Sequence, residues 1–335
     1  MRRFIFLGLA LMGFLSLAAF FTSLYQSLRL NIFAQETGNS PAYRFSLYVP
    51  DNRNSFFEEI VQGAKQAAAE LDSAILVHSI DPAKNEMEFA AFTGVDGVIV
   101  CPYLDEALGR QMEKLRENQM PAVLINHNLP NDQPWPFIGI NNFDLGRRIG
   151  LILSDSHENI HLAVVYSEKA PGIYTERELL EMGISASMGE RLFGSIVRFR
   201  TNLNPLNAET LLLGIFRSPG IRFGSLSVGD NPAINTIVFT DPEDTIAAAQ
   251  TLVDLNLVGK IRIIGFGKDP GIIEGLRKGI ISATIVIDPR RIGYEAVYSL
   301  LDLRKTGYTS ASIDTVIEII SSAEVISSSE KQMDL

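Results

Sequence analysis

The chain predicts an α/β fold in which two parallel sheets, each wound with helices on both faces, follow one another along the sequence. Three observations carry this. From about Tyr43 onward, short β-rich apolar runs alternate with amphipathic stretches. The runs are nearly continuous in apolar character, as strands covered on both faces by crossover helices require. Several helical stretches open with proline, whose fixed φ suits a first helical turn.

The first series begins with a strand at 44–49 and a helix at 55–71, where Phe56, Ile60, Ala64, Ala67 and Leu71 recur at three and four residues to form one buried stripe. Further strands are expected at 74–78, 97–101 and 121–125, separated by helical segments around 84–93 and 106–118. A second series places strands at 161–166, 194–199, 235–239, 262–266 and 284–287. Its helices fall near 175–187, 205–216, 242–255, 270–278 and 289–303. In such sheets ligands sit beyond the carboxyl ends of the strands, so the residues that follow each strand carry the functional information.

The 335 residues suit two domains of ordinary size or one domain in two lobes. With 46% hydrophobic and 20% charged residues, the chain can build a substantial core. A net charge of -10 and the absence of a basic cluster exclude nucleic acid as a partner, since phosphates need clustered Lys and Arg. Cys101 is the sole cysteine, so no intramolecular disulfide forms. It lies in an apolar run, where a packed thiol is the ordinary reading.

Arg2 and Arg3 precede an uncharged apolar run, 4–25, whose length of about 22 residues is enough to cross a bilayer. No clean small-x-small cleavage site follows, which favours an uncleaved signal-anchor over a cleaved signal peptide. Either reading places the body outside the cytoplasmic membrane, because the basic residues precede the span. Residues 26–42 read as a short tether.

His157-Glu158-Asn159-Ile160-His161 matches the zinc-protease H-E-x-x-H string. That chemistry needs both imidazoles on one face of a continuous helix. Here the string spans the end of a helix and His161 opens a β run, so it reads as a solvated turn. The glycines at 265 and 267 lack the third glycine of a dinucleotide fingerprint, and Lys268 is not followed by Ser or Thr. No serine elbow is present. The residues assemble no enzyme, metal site or cofactor site.

Polar residues at strand ends suit a small polar ligand instead: Asn54, Asn126, His127, Arg177 and Asp241, with Phe56 and Phe57 offering an apolar face. Asn54 and Asp241 also suit helix N-caps. Arg177 also suits an exposed helical charge. Adjacent helical residues diverge by about 100°, so only one of the two phenylalanines faces the core.

Several segments carry a resemblance in their order and spacing: 49–57 with Gly63 and Ala64, 96–102, 121–126, 140–146, 263–267, 282–285, Pro289, Ile292 and Gly293. Over 45–320 the chain resembles the type I periplasmic binding proteins for sugars, the ribose-binding class, and the ligand core of lactose-repressor-like regulators. The resemblance implies two Rossmann-like lobes joined by a three-strand hinge crossing near 139–142, 287–289 and 311–315. It implies an N-terminal lobe of 43–141 and 288–312, a C-terminal lobe of 142–287 and 313–320, and a flexible tail at 321–335. Asn54 and Phe56 match the family's asparagine and aromatic after the first strand. Asn126 and His127 stand where sugar binders have Asp-Arg, Asp241 where they have Asn, and Arg177 near the binding arginine. Cys101 replaces an asparagine, Gly267 an aspartate and Ile287 a glutamine. The expected function is binding of a small polar solute, a sugar or sugar-like carbohydrate, by hinge closure, in the service of a membrane transporter. The alternative is an anchored ligand-sensing ectodomain that signals to a membrane partner. A DNA-binding regulator is excluded because no helix pair of that kind precedes the body.

Overall fold

A computed structural model describes Leu17, Phe20 to Thr22, and residues 41–50, 55–80, 86–102, 106–129, 134–154, 159–168, 173, 176–202, 209–214 and 234–333. Residues 1–42 form one unit and 43–335 a second. The expected anchor and tether lie almost wholly outside the described residues, among which no helix is long and apolar enough to cross a membrane.

The second unit contains two six-stranded sheets. The first is built from β1 (Tyr43–Pro50), β2 (Ser73–Ile80), β3 (Gly97–Val100), β4 (Ala122–Asn126), β5 (Phe137–Gly139) and β11 (Ser312–Asp314), in the order β11-β5-β4-β3-β1-β2. The second contains β6 (Leu162–Ser167), β7 (Val197–Thr201), β8 (Thr236–Phe239), β9 (Arg262–Phe266), β10 (Ala283–Ile287) and β12 (Ile317–Ser321), in the order β12-β10-β9-β8-β6-β7. The orders are equivalent strand for strand. Pairing is parallel throughout except that β12 runs antiparallel to β10, with Ile287 opposite Ile317. The exception has a simple cause: β11 runs straight out of the first sheet and meets the second at the carboxyl ends of its strands.

The helices are α1 (Ser55–Glu70), α2 (Glu106–Glu117), α3 (Asn142–Ser154), α4 (Arg177–Met188), α5 (Pro242–Asp254), α6 (Pro270–Arg277), α7 (Pro289–Thr306) and α8 (Ser322–Met333), with a short 3-10 helix at Glu86–Phe92. Proline occupies the first turn of α5, α6 and α7. Asp241 and Asp288 cap α5 and α7 by accepting from the backbone N–H of Asp244 and Arg291. Of the helix expected at 205–216, residues 209–214 are described and are helical. The residues after 321, expected as a tail, form α8, which packs on α6.

Each lobe takes one helix from the other's strand series. β5 of the first sheet leads into α3, which packs on α4 beside the second sheet; β10 of the second leads into α7, which packs on α1 beside the first. Both pairs approach through glycine. A Cβ on Gly63 would lie 1.8 Å from the Arg290 carbonyl and one on Gly293 would lie 1.9 Å from that of Ile60. In the other pair, Gly183 meets Phe143 and Gly146 meets Leu180 at 2.1 and 2.0 Å. Only glycine permits that backbone contact.

The chain passes between the sheets three times: after Gly139, after Ile287 and at Thr315–Val316. The third passage lies later than expected, because Ile313 and Asp314 still pair with Ile138 and Gly139. Thr315 ties two passages together, donating its backbone N–H and its hydroxyl to the Gly139 carbonyl at 2.8 and 3.0 Å.

Candidate functional site

The register of the first sheet brings the carboxyl end of β4 to the passage between lobes. Asn126 pairs with Gly139, the last residue of β5 before the chain crosses. In the second sheet, Gly267 follows β9 and donates its N–H to the carbonyl of Ile285, close to the crossing after Ile287. The strand carboxyl ends of both sheets therefore border the hinge, where parallel α/β sheets hold ligands.

At the end of β4 the backbone turns sharply. His127 N–H donates to the Ile125 carbonyl at 2.9 Å across Asn126, whose φ is 72°. This is a three-residue γ-turn of the strained hand, and a conformation of this kind costs about 1–3 kcal/mol. The Asn126 side chain is buried and donates to Cys101 Sγ at 3.9 Å, a weak contact. Burial pushes the Cys101 thiol up to about 12, so the sulfur stays protonated. Next to it His127 is only 1% exposed, and neither Nδ1 nor Nε2 has a hydrogen-bond partner. Burial alone pulls its pKa down to about 4, so the ring is neutral at neutral pH, with one N–H to donate and one nitrogen to accept. A buried polar group without a partner costs about 1–3 kcal/mol. The base of the N-terminal side is thus uncharged, strained and unsatisfied.

On the other side, Asp241 is buried at the end of β8, and its carboxylate caps α5. Thr240 accepts from the Ser167 N–H at 3.0 Å, and Thr201 Oγ1 bonds the carboxylate of the buried Asp244. Gly267 has a φ of 94°, and a Cβ there would lie 2.8 Å from Pro242 Cγ. The turn beneath α5 accordingly has no room for a side chain where the resemblance expects an aspartate. Arg177 opens α4, half-buried, and pairs with Glu178 at 3.0 Å. Asn142, at the start of α3 beside the first crossing, donates to Glu176 at 2.8 Å and leaves Oδ1 buried without a partner.

Of the remaining candidates, Asn54 lies outside the described residues. Phe57, at 3% exposure, belongs to the core and replaces Phe56 in the buried stripe of α1. Phe56 stays half-buried, packed against the core with its ring edge-on to Phe57 at 5.4 Å. In the H-E-x-x-H string, His157 and Glu158 lie outside the described residues. His161 is in extended backbone just before β6, its N–H donating to Asn235 Oδ1 at 3.0 Å. Among the described residues no group of three His, Cys, Asp or Glu side chains is placed to hold a metal.

A family model described as "Periplasmic binding protein domain" matches residues 45–307. The chain belongs to the periplasmic binding protein family. No curated protein matches it in sequence. Among solved structures it is similar to GanP, a glucose-galactose binding protein from Geobacillus stearothermophilus. That likeness has TM-score 0.70 and 21% identity, over 84% of this chain and 98% of that one. It is also similar to a Caulobacter myo-inositol binding protein bound to myo-inositol, with TM-score 0.71 and 18% identity over 89% and 99%. A third likeness, TM-score 0.66 and 19% identity over 84% and 98%, is to the XylFII-LytSN complex. At these identities the likeness establishes the fold, which is that of type I periplasmic binding proteins.

Within a periplasmic binding protein, the pairing of Asn142 with Glu176 is a connection that the sequence reading missed. It ties the helix entering from the hinge to the first turn of α4, beside Arg177. Asn142 is one of three polar residues in the motif 140–146, with Asn141 and Asp144, so nothing in the local sequence singled it out. The γ-turn at Asn126 had no sequence signal beyond the tolerance of asparagine for positive φ.

Proposed function

We propose that this periplasmic binding protein is a receptor outside the cytoplasmic membrane for an uncharged polyol or sugar-like solute, and that it binds without catalysis. It closes its two lobes on the ligand about the three crossings and serves a membrane transporter. The observation that carries this reading is His127, with both ring nitrogens buried and unpartnered beside the hinge. A ligand hydroxyl donates and accepts, so one or two hydroxyls satisfy both nitrogens and offset the cost of burying them. Phe56 supplies an apolar wall for the C–H face of such a ligand. Arg177 and Asp241 supply polar contacts from the second lobe, and Asn54 one from the first. Membership of the family implies the extracytoplasmic location. The likeness to a glucose-galactose binding protein and to a myo-inositol binding protein supports the ligand class.

A second reading, a membrane-anchored sensor that passes ligand occupancy to a partner membrane protein, is supported by the apolar segment 4–25, whose length suits an anchor, and by the likeness to the XylFII-LytSN complex.

Thermal unfolding with millimolar myo-inositol, glucose, galactose, xylose or ribose tests the proposal. A ligand of micromolar affinity stabilises by about 4 kcal/mol at that concentration, and His127→Leu should remove the shift. Melting unmoved by every polyol, with an unchanged small-angle scattering profile, would refute it. Thermal shift is preferred to intrinsic fluorescence, because the sole tryptophan, Trp135, lies before β5, at the opposite end of the sheet from Asn126.

A further inference from the structure

Among the described residues, four other than glycine hold a positive φ: Asp72, Gln119, Asn126 and Asn256, at 49°, 55°, 72° and 54°. Asp72, Gln119 and Asn256 are exposed and follow the ends of α1, α2 and α5, where a left-handed residue ordinarily closes a helix. Asn126 is the one that closes a strand, and it is only 4% exposed. Helix termination thus accounts for the other three and not for Asn126, which stands next to the unpartnered His127. Strained residues of this kind cluster at ligand clamps and active sites, where the surrounding structure holds them in place.

The two faces of the first sheet show what the turn changes. Side chains alternate along β4: Ala122 and Leu124 pack in one apolar cluster with Val98 and Val100, and Val123 and Ile125 pack in the other with Ile99 and Cys101. An unbroken strand would set Asn126 on the first face and His127 on the second, in the apolar layer that α7 covers. Instead the Asn126 amide reaches the second face and donates to Cys101 Sγ. The turn gives that face to Asn126 and takes His127 off it. For the backbone alone glycine would serve, as Gly267 does after β9, the strand that holds the place of β4 in the second sheet. What asparagine adds is a buried side chain with a contact of its own. We propose that Asn126 is a positioning residue: its turn directs the His127 imidazole toward the ligand, and its amide, seated on Cys101, keeps the turn from relaxing into extended strand. This rests on the reading that His127 meets the ligand, and adds to it a residue that the ligand need not touch.

The test uses the full chain in nonionic detergent at neutral pH, its four histidines labelled with nitrogen-15 and the His127 signals identified by their loss in His127→Gln. The first readout is the pair of ring-nitrogen shifts of His127. Asn126→Gly accepts positive φ and should leave both in place. Asn126→Val, whose branched side chain disfavours that conformation, should move them. Cys101→Ala should move them too, and adding Asn126→Gly to it should restore them. Asn126→Ala replaces Asn126→Val should the valine variant fail to melt cooperatively. The second readout is the dissociation constant for whichever of the five polyols named above moves melting furthest. Asn126→Gly should stay within about threefold of the wild type, and Asn126→Val should bind about tenfold more weakly, the worth of about one hydrogen bond. Shifts unmoved in the valine or alanine variant overturn the proposal. So do shifts that move as far in Asn126→Gly, a Cys101→Ala spectrum identical to the wild type, or affinity that stays level while the shifts move. Should none of the five polyols bind, the ligand class proposed above fails, and the ring-nitrogen shifts by themselves still support or overturn the role of Asn126.

Discussion

Acidification should cost this protein stability through His127, and replacing that residue should remove the cost. The imidazole is held near a pKa of about 4 by burial, against an ordinary 6.5. The unfolded chain then binds the proton more readily than the folded one, so stability rises with pH across this window. The penalty is absent well above pH 6.5, grows as the pH falls, and is complete below about pH 4, where it reaches about 3 kcal/mol. At about pH 5 the unfolded ring is almost wholly charged while the folded ring is about nine-tenths neutral, a difference of about 2 kcal/mol. That corresponds to about 3 °C in melting temperature for a body of this size. Urea unfolding of the wild type and His127→Gln from about pH 7.5 to about pH 4.5 measures it. The gap between the two should shift in favour of the variant by about 2 kcal/mol near pH 5. The other histidines, including His161, whose pKa is also lowered by burial, are common to both proteins and cancel. Parallel stability profiles for the two proteins would show that His127 is hydrated rather than buried, and the reading of an unsatisfied cleft base would fall.

Gly63→Ala should destabilise by about 3 kcal/mol, because its Cβ would meet the Arg290 carbonyl at 1.8 Å and two helices must separate; an unchanged urea midpoint would contradict that packing. Asp241→Ala should cost about 1 kcal/mol by uncapping α5, whereas Asp241→Asn retains the cap, so a loss of ligand affinity in the asparagine variant would identify a contact separate from capping. Cys101, buried and with its thiol held up at about 12, should resist thiol reagents in the native protein and react only on unfolding; rapid native labelling would disprove its burial.

Much of the fold was legible locally. The apolar runs become strands and the prolines at 242, 270 and 289 open helices, because strand alternation, fixed proline φ and aspartate capping depend on neighbours a few residues away. Phe56 was placed in the buried stripe of α1 and Phe57 proved to hold that position, since spacing of three or four admits either and the sheet beneath decides. The candidate site was legible in type more than in state. Asn126 and His127 stand out as polar residues after an apolar strand, but neither the γ-turn nor the missing partners of the imidazole are properties of the local sequence. Asp241 was recognised both as a cap and as a ligand candidate, and the structure displays the cap.

The alternation of strand and helix, the two series and the acidic, cysteine-poor character were determined by the sequence by itself, through short-range periodicity and composition. Only the tertiary structure decided that α3 and α7 serve the lobe opposite the strand they follow, and that β12 must run against its neighbour. It alone decided which of the apolar residues of α4 stay uncovered. Leu179, Leu180, Met182 and Ile184 look alike in sequence; Leu180 and Ile184 are buried against α3, while Leu179 and Met182 face water. The physical reason is common to all three: burial is conferred by contact with residues distant in the chain, and no local pattern records which partner will be there.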